Sequence, residues 1–144
     1  MNHELSISES VNVNADAKKV WEALTNPAII KDYLFGTETV TDWKVGSPII
    51  FQGEYQGHKY KDRGVILEFK PMETLTYSYW SGFTGLDDKP ENYAKVSYHV
   101  KVIDGNTTQF TWTQKGFANQ DGYNHSKTGM PDFLKGIKAV MERP

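Results

Sequence analysis

The sequence predicts an α+β domain in which a curved antiparallel sheet of six or seven strands wraps around a long C-terminal helix. Two observations support this prediction. Between residues 37 and 117, apolar and polar side chains alternate with a period of two, which is typical of strands with one buried face. After Phe117 the apolar period changes to that of a helix. Because a sheet with one apolar face needs a covering layer, we expect the helix to pack on it.

The N-terminal part of the chain predicts one strand followed by two short helices. Residues Leu5 to Val13 alternate between apolar and polar side chains and indicate a half-buried strand. Asp16 is a candidate N-cap for a helix from Ala17 to Thr25, because its carboxylate can accept a hydrogen bond from the first turn. Pro27 ends this helix and can open a second one that runs through Leu34.

Six further strands are predicted after the second helix, separated by turn residues such as Gln56-Gly57 and Asp104-Gly105-Asn106. They are Thr37 to Trp43, Ile49 to Tyr55, Lys59 to Lys70, Thr74 to Ser81, Tyr93 to Ile103 and Thr107 to Phe117. One long polar loop, Gly82 to Asn92, interrupts the series. Consecutive strands joined by such short turns favour an antiparallel meander.

The C-terminal segment predicts the longest helix. Its apolar side chains recur at helical spacing, at Met130, Phe133, Leu134, Ile137, Val140 and Met141. Because a proline inside a helix removes a hydrogen bond and clashes one turn earlier, Pro131 should lie near the helix start. We therefore expect the main helix to run from Gly129 to Glu142 with Thr128 as its N-cap. Residues Asp121 to Lys127 would form a separate helical turn or join the helix through a kink.

Length, charge and composition exclude several classes of function for this protein. The 144 residues correspond to a single domain, 1–144. The formal net charge of -2 argues against a nucleic-acid-binding protein. The chain has no cysteine, which excludes disulfides and thiolate chemistry and fits a reducing, cytoplasmic location. No apolar run is long enough to cross a bilayer, so we expect no membrane partner.

No cofactor and no metal site are predicted. The sequence has neither a phosphate-binding glycine loop nor a Gly-x-Ser-x-Gly elbow. No two of its 4 histidines have metal-ligand spacing. His125, near the start of the last helical segment, is placed to face a cavity mouth, and the alternative is a partly buried structural histidine.

Three local motifs resemble those of a known family. They are Ala15 to Pro27, Leu86 to Tyr93, and His125-Ser126 together with Phe133 to Lys138. With the order of elements, they make nearly the whole chain similar to the START-like, helix-grip superfamily. Within it, the chain resembles the bacterial homologues of the heat-shock-protein-ninety ATPase activator. The resemblance implies the helix-grip fold, and it points to function only by analogy.

A cavity between the sheet and the C-terminal helix is the leading prediction for function. Strand parity and helical spacing turn an aromatic-rich set of side chains toward this space. The set is Phe51, Tyr55, Arg63, Leu67, Tyr77, Tyr79, Tyr98, Trp112, Phe133 and Ile137. Since buried tyrosine hydroxyls need hydrogen-bond partners, such a cavity would not be purely apolar. A core that the same side chains fill completely is the alternative.

Two charged residues share the apolar parity of their strands. Glu9 falls in line with Ile7, and Arg63 falls in line with Val65. Because a charge facing a core is costly unless it is paired, we expect Arg63 to hold a ligand carboxylate in the cavity. The alternatives are pairing of Arg63 with Glu9, a strand end in water, or a bulge that reverses the parity.

Three functions are consistent with these observations. The first is non-enzymatic binding of a small hydrophobic or amphipathic molecule by a monomer or homodimer. The second, a chaperone-partner protein, rests on the family resemblance alone. The third is a cavity enzyme of the cyclase or dehydratase type, for which Glu9, Arg63 and His125 are only loose candidates. No acid–base pair stands out, so no catalytic residue is assigned.

Overall fold

A computed structural model describes all 144 residues and shows seven antiparallel strands curved around one long helix. The strands are β1 (Asn2–Val13), β2 (Glu38–Val40), β3 (Pro48–Tyr55), β4 (His58–Lys70), β5 (Thr74–Tyr79), β6 (Ala94–Asp104) and β7 (Thr107–Phe117). The helices are α1 (Ala17–Thr25), α2 (Pro27–Tyr33) and α3 (Gln120–Met141). The strand order is β1-β7-β6-β5-β4-β3-β2. This is the helix-grip arrangement that the sequence predicts.

The two short helices begin where the sequence places them. Asp16 caps α1 by accepting a hydrogen bond from the backbone N–H of Lys19 at 2.9 Å. Asn26 caps α2 in the same way, through the backbone N–H of Ala28 at 3.0 Å. Two residues with positive φ, Phe35 and Gly36, follow α2 and turn the chain into β2. Helix α1 contacts β6 and β7, and α2 contacts β2.

Helix α3 begins earlier than predicted and passes through its proline. Its N-cap is Asn119, so the prediction that Thr128 caps a helix beginning at Gly129 is wrong. Pro131 leaves the carbonyl of Lys127 without its helical donor. Lys127 is exposed, so water can satisfy that carbonyl, and the proline is tolerated inside the helix.

The inward face of β4 differs from the prediction. Its buried residues are Asp62, Gly64 and Ile66, whereas the predicted inward residues Val65 and Leu67 are exposed. The predicted parity is therefore wrong for the first two thirds of this strand. The β3–β4 pairing explains the outcome, because residues directly opposite each other in a sheet face the same side.

Two local features fix the register of β4. The two-residue turn Gln56-Gly57, with positive φ at both positions, pairs Phe51 with Asp62 across the hairpin. Farther along, the pairing with β5 shifts between Ile66 and Glu68. This bulge returns Phe69 to the core side, where it packs against the buried cluster. The alternation of Val65, Leu67 and Phe69 therefore runs across a register shift, so these three residues do not all face the same side of the sheet.

The core lies between the concave face of the sheet and the three helices. Fully buried members include Val20 and Leu24 of α1, Phe110 of β7, and Ile137 and Met141 of α3. None of the helices combines the length and the apolar character that crossing a membrane requires.

Candidate ligand-binding cavity

A cavity of about 260 Å³ lies between the concave face, the loop that joins α2 to β2, and α3. It is lined by Leu34, Phe35, Thr37, Phe51, Tyr60, Asp62, Tyr77, Tyr79, Val96, Tyr98, Trp112, Gln114 and Phe133. Phe35 is 91% exposed, so the cavity meets solvent at this side chain. Helix α3 therefore does not fill all of the space that the sheet encloses.

Six of the ten predicted site residues line this cavity. They are Phe51, Tyr77, Tyr79, Tyr98, Trp112 and Phe133. Ile137, about one helical turn beyond Phe133, is fully buried in the core and does not reach the cavity. The side chains that the structure brings together come from β3, β5, β6, β7 and α3.

Three predicted site residues lie elsewhere. Tyr55 is 61% exposed because it sits at the tip of the β3–β4 hairpin. Leu67 is 46% exposed because the parity of β4 turns it outward. Arg63 is also exposed, with its Nη1 3.4 Å from Oδ2 of Asp88 and its guanidinium 5.7 Å from the Trp80 ring centre. The predictions that these three line the cavity are wrong, and so is the predicted carboxylate anchor at Arg63.

The loose catalytic candidates do not converge. Glu9 is half-buried on β1, opposite Trp112 in the register with β7. His125 is exposed and lines a separate depression beside the start of α3. Neither residue lines the main cavity, and Arg63 faces the other side of the sheet.

Aromatic rings form a rigid wall on the sheet side of the cavity. The ring centres of Phe51 and Tyr77 are 5.5 Å apart, and those of Phe51 and Tyr79 are 5.9 Å apart. Trp112 meets Phe133 of α3 edge to face, at 6.4 Å and 86°. Such tilted and edge-to-face contacts are favourable geometries for aromatic pairs. The wall is thus preformed.

The hydroxyl groups in this wall bind mostly to one another. The hydroxyls of Tyr77 and Tyr98 are 2.7 Å apart, and those of Thr37 and Tyr60 are 2.5 Å apart. Burial raises the pKa of Tyr98 to about 12 and raises that of Tyr77 well above its ordinary value. Both phenols therefore stay protonated at neutral pH, and this part of the lining is internally satisfied.

Asp62 is the exception in the lining. It is 6% exposed, and its Oδ2 accepts a hydrogen bond from the Tyr79 hydroxyl at 2.6 Å. Its other oxygen, Oδ1, has no hydrogen-bond partner. Burial raises the pKa of Asp62, and the hydrogen bond from the Tyr79 hydroxyl offsets part of this effect. A buried carboxyl with one free oxygen is suited to bind a donor.

Sequence reasoning missed Asp62, although a signal for it exists. A two-residue turn at Gln56-Gly57 pairs Tyr55 with His58 and therefore Phe51 with Asp62. Once Phe51 is placed inside, its partner must lie inside too. The alternation of β4 alone, without its hairpin partner, indicates the wrong face.

The lining of the cavity contains one ionisable carboxyl group and no basic side chain. No Lys, Arg or His lines it, and Asp62 is its only carboxyl group. No group of three His, Cys, Asp or Glu side chains in the structure has the arrangement of a metal site. The geometry therefore suits recognition of one polar group on an otherwise apolar molecule.

One family model matches the chain when it is compared with known protein families. The family model described as Activator of Hsp90 ATPase homolog 1-like protein matches residues 14–142. No curated protein matches the chain.

Solved structures share the fold over almost the whole chain. A Cytophaga hutchinsonii protein is 39% identical, with 99% of this chain and 97% of that chain covered and a TM-score of 0.82. The Aha1 dimer of Colwellia psychrerythraea is 18% identical, with 95% and 96% covered and a TM-score of 0.72. A Plasmodium falciparum protein described as an HSP90 activator is 16% identical, with 97% and 98% covered and a TM-score of 0.75.

Proposed function

This chain belongs to the family of Activator of Hsp90 ATPase homolog 1-like proteins, and from that premise we propose that it binds a small hydrophobic or amphipathic molecule without transforming it. The observation that carries the proposal is the aromatic-lined cavity of about 260 Å³ between the sheet and α3. Ligand sites are typically concave and mostly apolar, with a few placed polar groups. The binding residues proposed are the six predicted side chains in the lining, together with Asp62.

The construction of the wall favours binding over mere incomplete packing. The rings contact one another at fixed angles, so little side-chain freedom is lost when a ligand enters. The Tyr77 and Tyr98 hydroxyls bind each other, which leaves the ring surfaces free for apolar contact. A ligand bound here would bury apolar surface, and each Å² of that surface removed from water contributes about 25 cal/mol of favourable free energy.

The rim of the cavity offers an entrance for an apolar molecule. Phe35 lines it and is almost fully exposed. Phe83, also exposed, packs at 5.7 Å from the ring of Tyr60, another lining residue. Exposed aromatic side chains at the edge of a pocket are typical of sites that accept apolar partners.

A cavity-filling pair of variants tests the proposal. Val96 lines the cavity, whereas Val102 of the same strand is exposed. We expect hydrophobic dyes and lipid-like compounds to raise the melting temperature of the wild type and of Val102→Phe. A ligand at a hundred times its dissociation constant adds about 2.7 kcal/mol to the free energy of unfolding. Val96→Phe should fold and lose that shift.

Two results would count against the binding proposal. One is the absence of any shift across a broad panel of compounds. The other is an equal shift in Val96→Phe and wild type, which would place binding outside the cavity. The melting temperature of each variant without ligand shows whether the substitution itself disturbs the fold.

A role as a chaperone partner is the second candidate, and the family match favours it. The Plasmodium falciparum protein described as an HSP90 activator has the same fold. In this function the outer surface acts in a reducing cytosol, and the cavity is not needed. The ATPase rate of the cognate chaperone should then rise with wild type and Val96→Phe alike. If wild type raised the ATPase rate and Val96→Phe did not, chaperone stimulation would depend on the open cavity, and the two functions would share one site.

A further inference from the structure

The lining of the cavity contains a group that apolar binding does not use. Asp62 is buried, its Oδ2 is held by Tyr79, and its Oδ1 is free. Leaving a buried acceptor unpaired lowers stability, and the loss is greater when the group is charged. Because Asp62 lines the cavity, a ligand there can supply the missing donor, which makes the free oxygen a candidate ligand contact.

The protein supplies no cation to this carboxyl. Asp62 takes part in none of the five ion pairs of the structure. Its neighbour Arg63 pairs with Asp88 on the other side of the sheet. No basic side chain lines the cavity. The position opposite Oδ1 is therefore open to a positive group from a ligand, and a ligand carboxylate there would meet a like charge.

The rings around Asp62 favour the same kind of group. Phe51 is its cross-strand partner, and Tyr79 donates to it. Phe51, Tyr77 and Tyr79 lie within one cluster of ring contacts of 5.5 to 6.5 Å. Aromatic faces attract cations, most strongly where water is excluded. A carboxylate and several ring faces in one small cavity make a combined site for an ammonium group.

We propose that the ligand of this cavity is an amphipathic amine whose ammonium group donates to Oδ1 of Asp62 while its apolar body packs against the rings of β5, β6 and β7. This inference rests on the proposed ligand-binding function and narrows it to one chemical class. It replaces the acidic ligand that the sequence predicted, because the anchor in the cavity is an acid and the predicted base lies outside.

Three compounds with one apolar body test the assignment. Calorimetric titrations at pH 7.5 would compare 4-phenylbutylamine, 4-phenylbutanol and 4-phenylbutyrate. The amine should bind the wild type at least about tenfold more tightly than the other two. In Asp62→Asn, which keeps the side-chain size and an acceptor for Tyr79, amine binding should weaken about ten- to a hundredfold. Glu54→Gln removes an exposed charge from β3 and should bind the amine like wild type.

A pH series on the wild type gives an independent readout. The amine stays protonated over the acidic range, whereas Asp62 gains a proton as the pH falls. Amine affinity should therefore drop on acidification through the titration of Asp62, and affinity for the alcohol should not. This measurement needs no variant, so it remains decisive if Asp62→Asn folds poorly.

The outcomes separate the two proposals. Equal binding of all three compounds, or an alcohol as tight as the amine, would overturn the cationic ligand and leave an apolar binding protein. Binding of the amine that Asp62→Asn does not weaken would overturn the role of Asp62. Failure of all three compounds to bind would overturn the amine assignment, and the thermal-shift panel of hydrophobic dyes and lipid-like compounds would then decide the binding proposal on its own.

Discussion

The two walls of the cavity satisfy their polar groups to different extents. On the wall made by β5, β6 and β7, the Tyr77 and Tyr98 hydroxyls bind each other, and Trp112 packs against Phe133. On the wall made by the start of β4, Asp62 keeps one oxygen free in a buried position. The first wall is complete without a ligand and the second is not. The comparison separates the part of the cavity that holds the fold together from the part that is available for recognition.

The largest effect should come from the complete wall. Trp112 is 8% exposed, and Trp112→Ala should lower the free energy of unfolding by about 3–5 kcal/mol, because it removes a large aromatic side chain from a packed site. Thr111 faces the opposite side of β7, where its hydroxyl is 2.6 Å from that of Ser10. Thr111→Ala should change stability by about 0.5 kcal/mol or less. Urea denaturation measures both, and equal losses would show that this wall has no distinct structural role.

The next effect tests how β4 is held in its register. Gly64 lies so close to β5 that an added Cβ would be 1.6 Å from the carbonyl oxygen of Ser78. Gly64→Ala should therefore destabilise the protein by about 3 kcal/mol, since backbone atoms must move. A Cβ added at Gly136 of α3 would meet no neighbouring element within 4 Å, so Gly136→Ala should stabilise by about 0.5–1 kcal/mol. A mild effect at Gly64 would mean that β4 can shift, and that the position of Asp62 is not fixed.

The complete wall could be predicted from the sequence, and the incomplete one could not. In β6 and β7 the apolar alternation runs unbroken, so parity alone places Tyr98 and Trp112 on the concave face. In β4 the apolar residues Val65 and Leu67 point outward, because the hairpin with β3 sets the register and a bulge follows. The pattern of one strand cannot reveal a register that its partner imposes.

The N-terminus of α3 shows the same limit of sequence-based prediction. The apolar spacing correctly places Met130 and Leu134 in the core. Pro131 alone predicts a late start for the helix, whereas the helix begins at the Asn119 cap. The local rule about proline does not hold here, because core contacts on both sides of Pro131 stabilise the helix and Lys127, whose carbonyl loses its helical donor, is an exposed residue. Helix boundaries and strand registers depend on such tertiary contacts, and these are what sequence patterns leave open.

The smallest expected effect is the pH dependence that Asp62, in the incomplete wall, gives to the free energy of unfolding of the protein. Burial raises the pKa of Asp62 in the folded protein. Between about pH 4, where an unfolded aspartate titrates, and that raised pKa, the folded protein holds a proton that the unfolded chain has released. The free energy of unfolding should therefore fall as pH rises through this window. Asp62→Asn has no proton to lose, so its stability relative to wild type should increase from pH 4 to pH 7.

Asp42 provides a control of opposite sign. Hydrogen bonds from the Ser47 side chain and the Lys44 backbone lower the pKa of this exposed aspartate. Its contribution is present at neutral pH and is lost on acidification, so Asp42→Asn should lose stability relative to wild type as pH rises. Urea denaturation of the three proteins at several pH values measures both slopes. If the free energy of unfolding changed with pH in parallel for Asp62→Asn and wild type, ionisation of Asp62 would not lower stability. The two walls would then differ in hydrogen bonding but not in their effect on stability. A variant that is more stable at pH 7 and binds amines poorly would instead show that Asp62 lowers stability where it supports recognition.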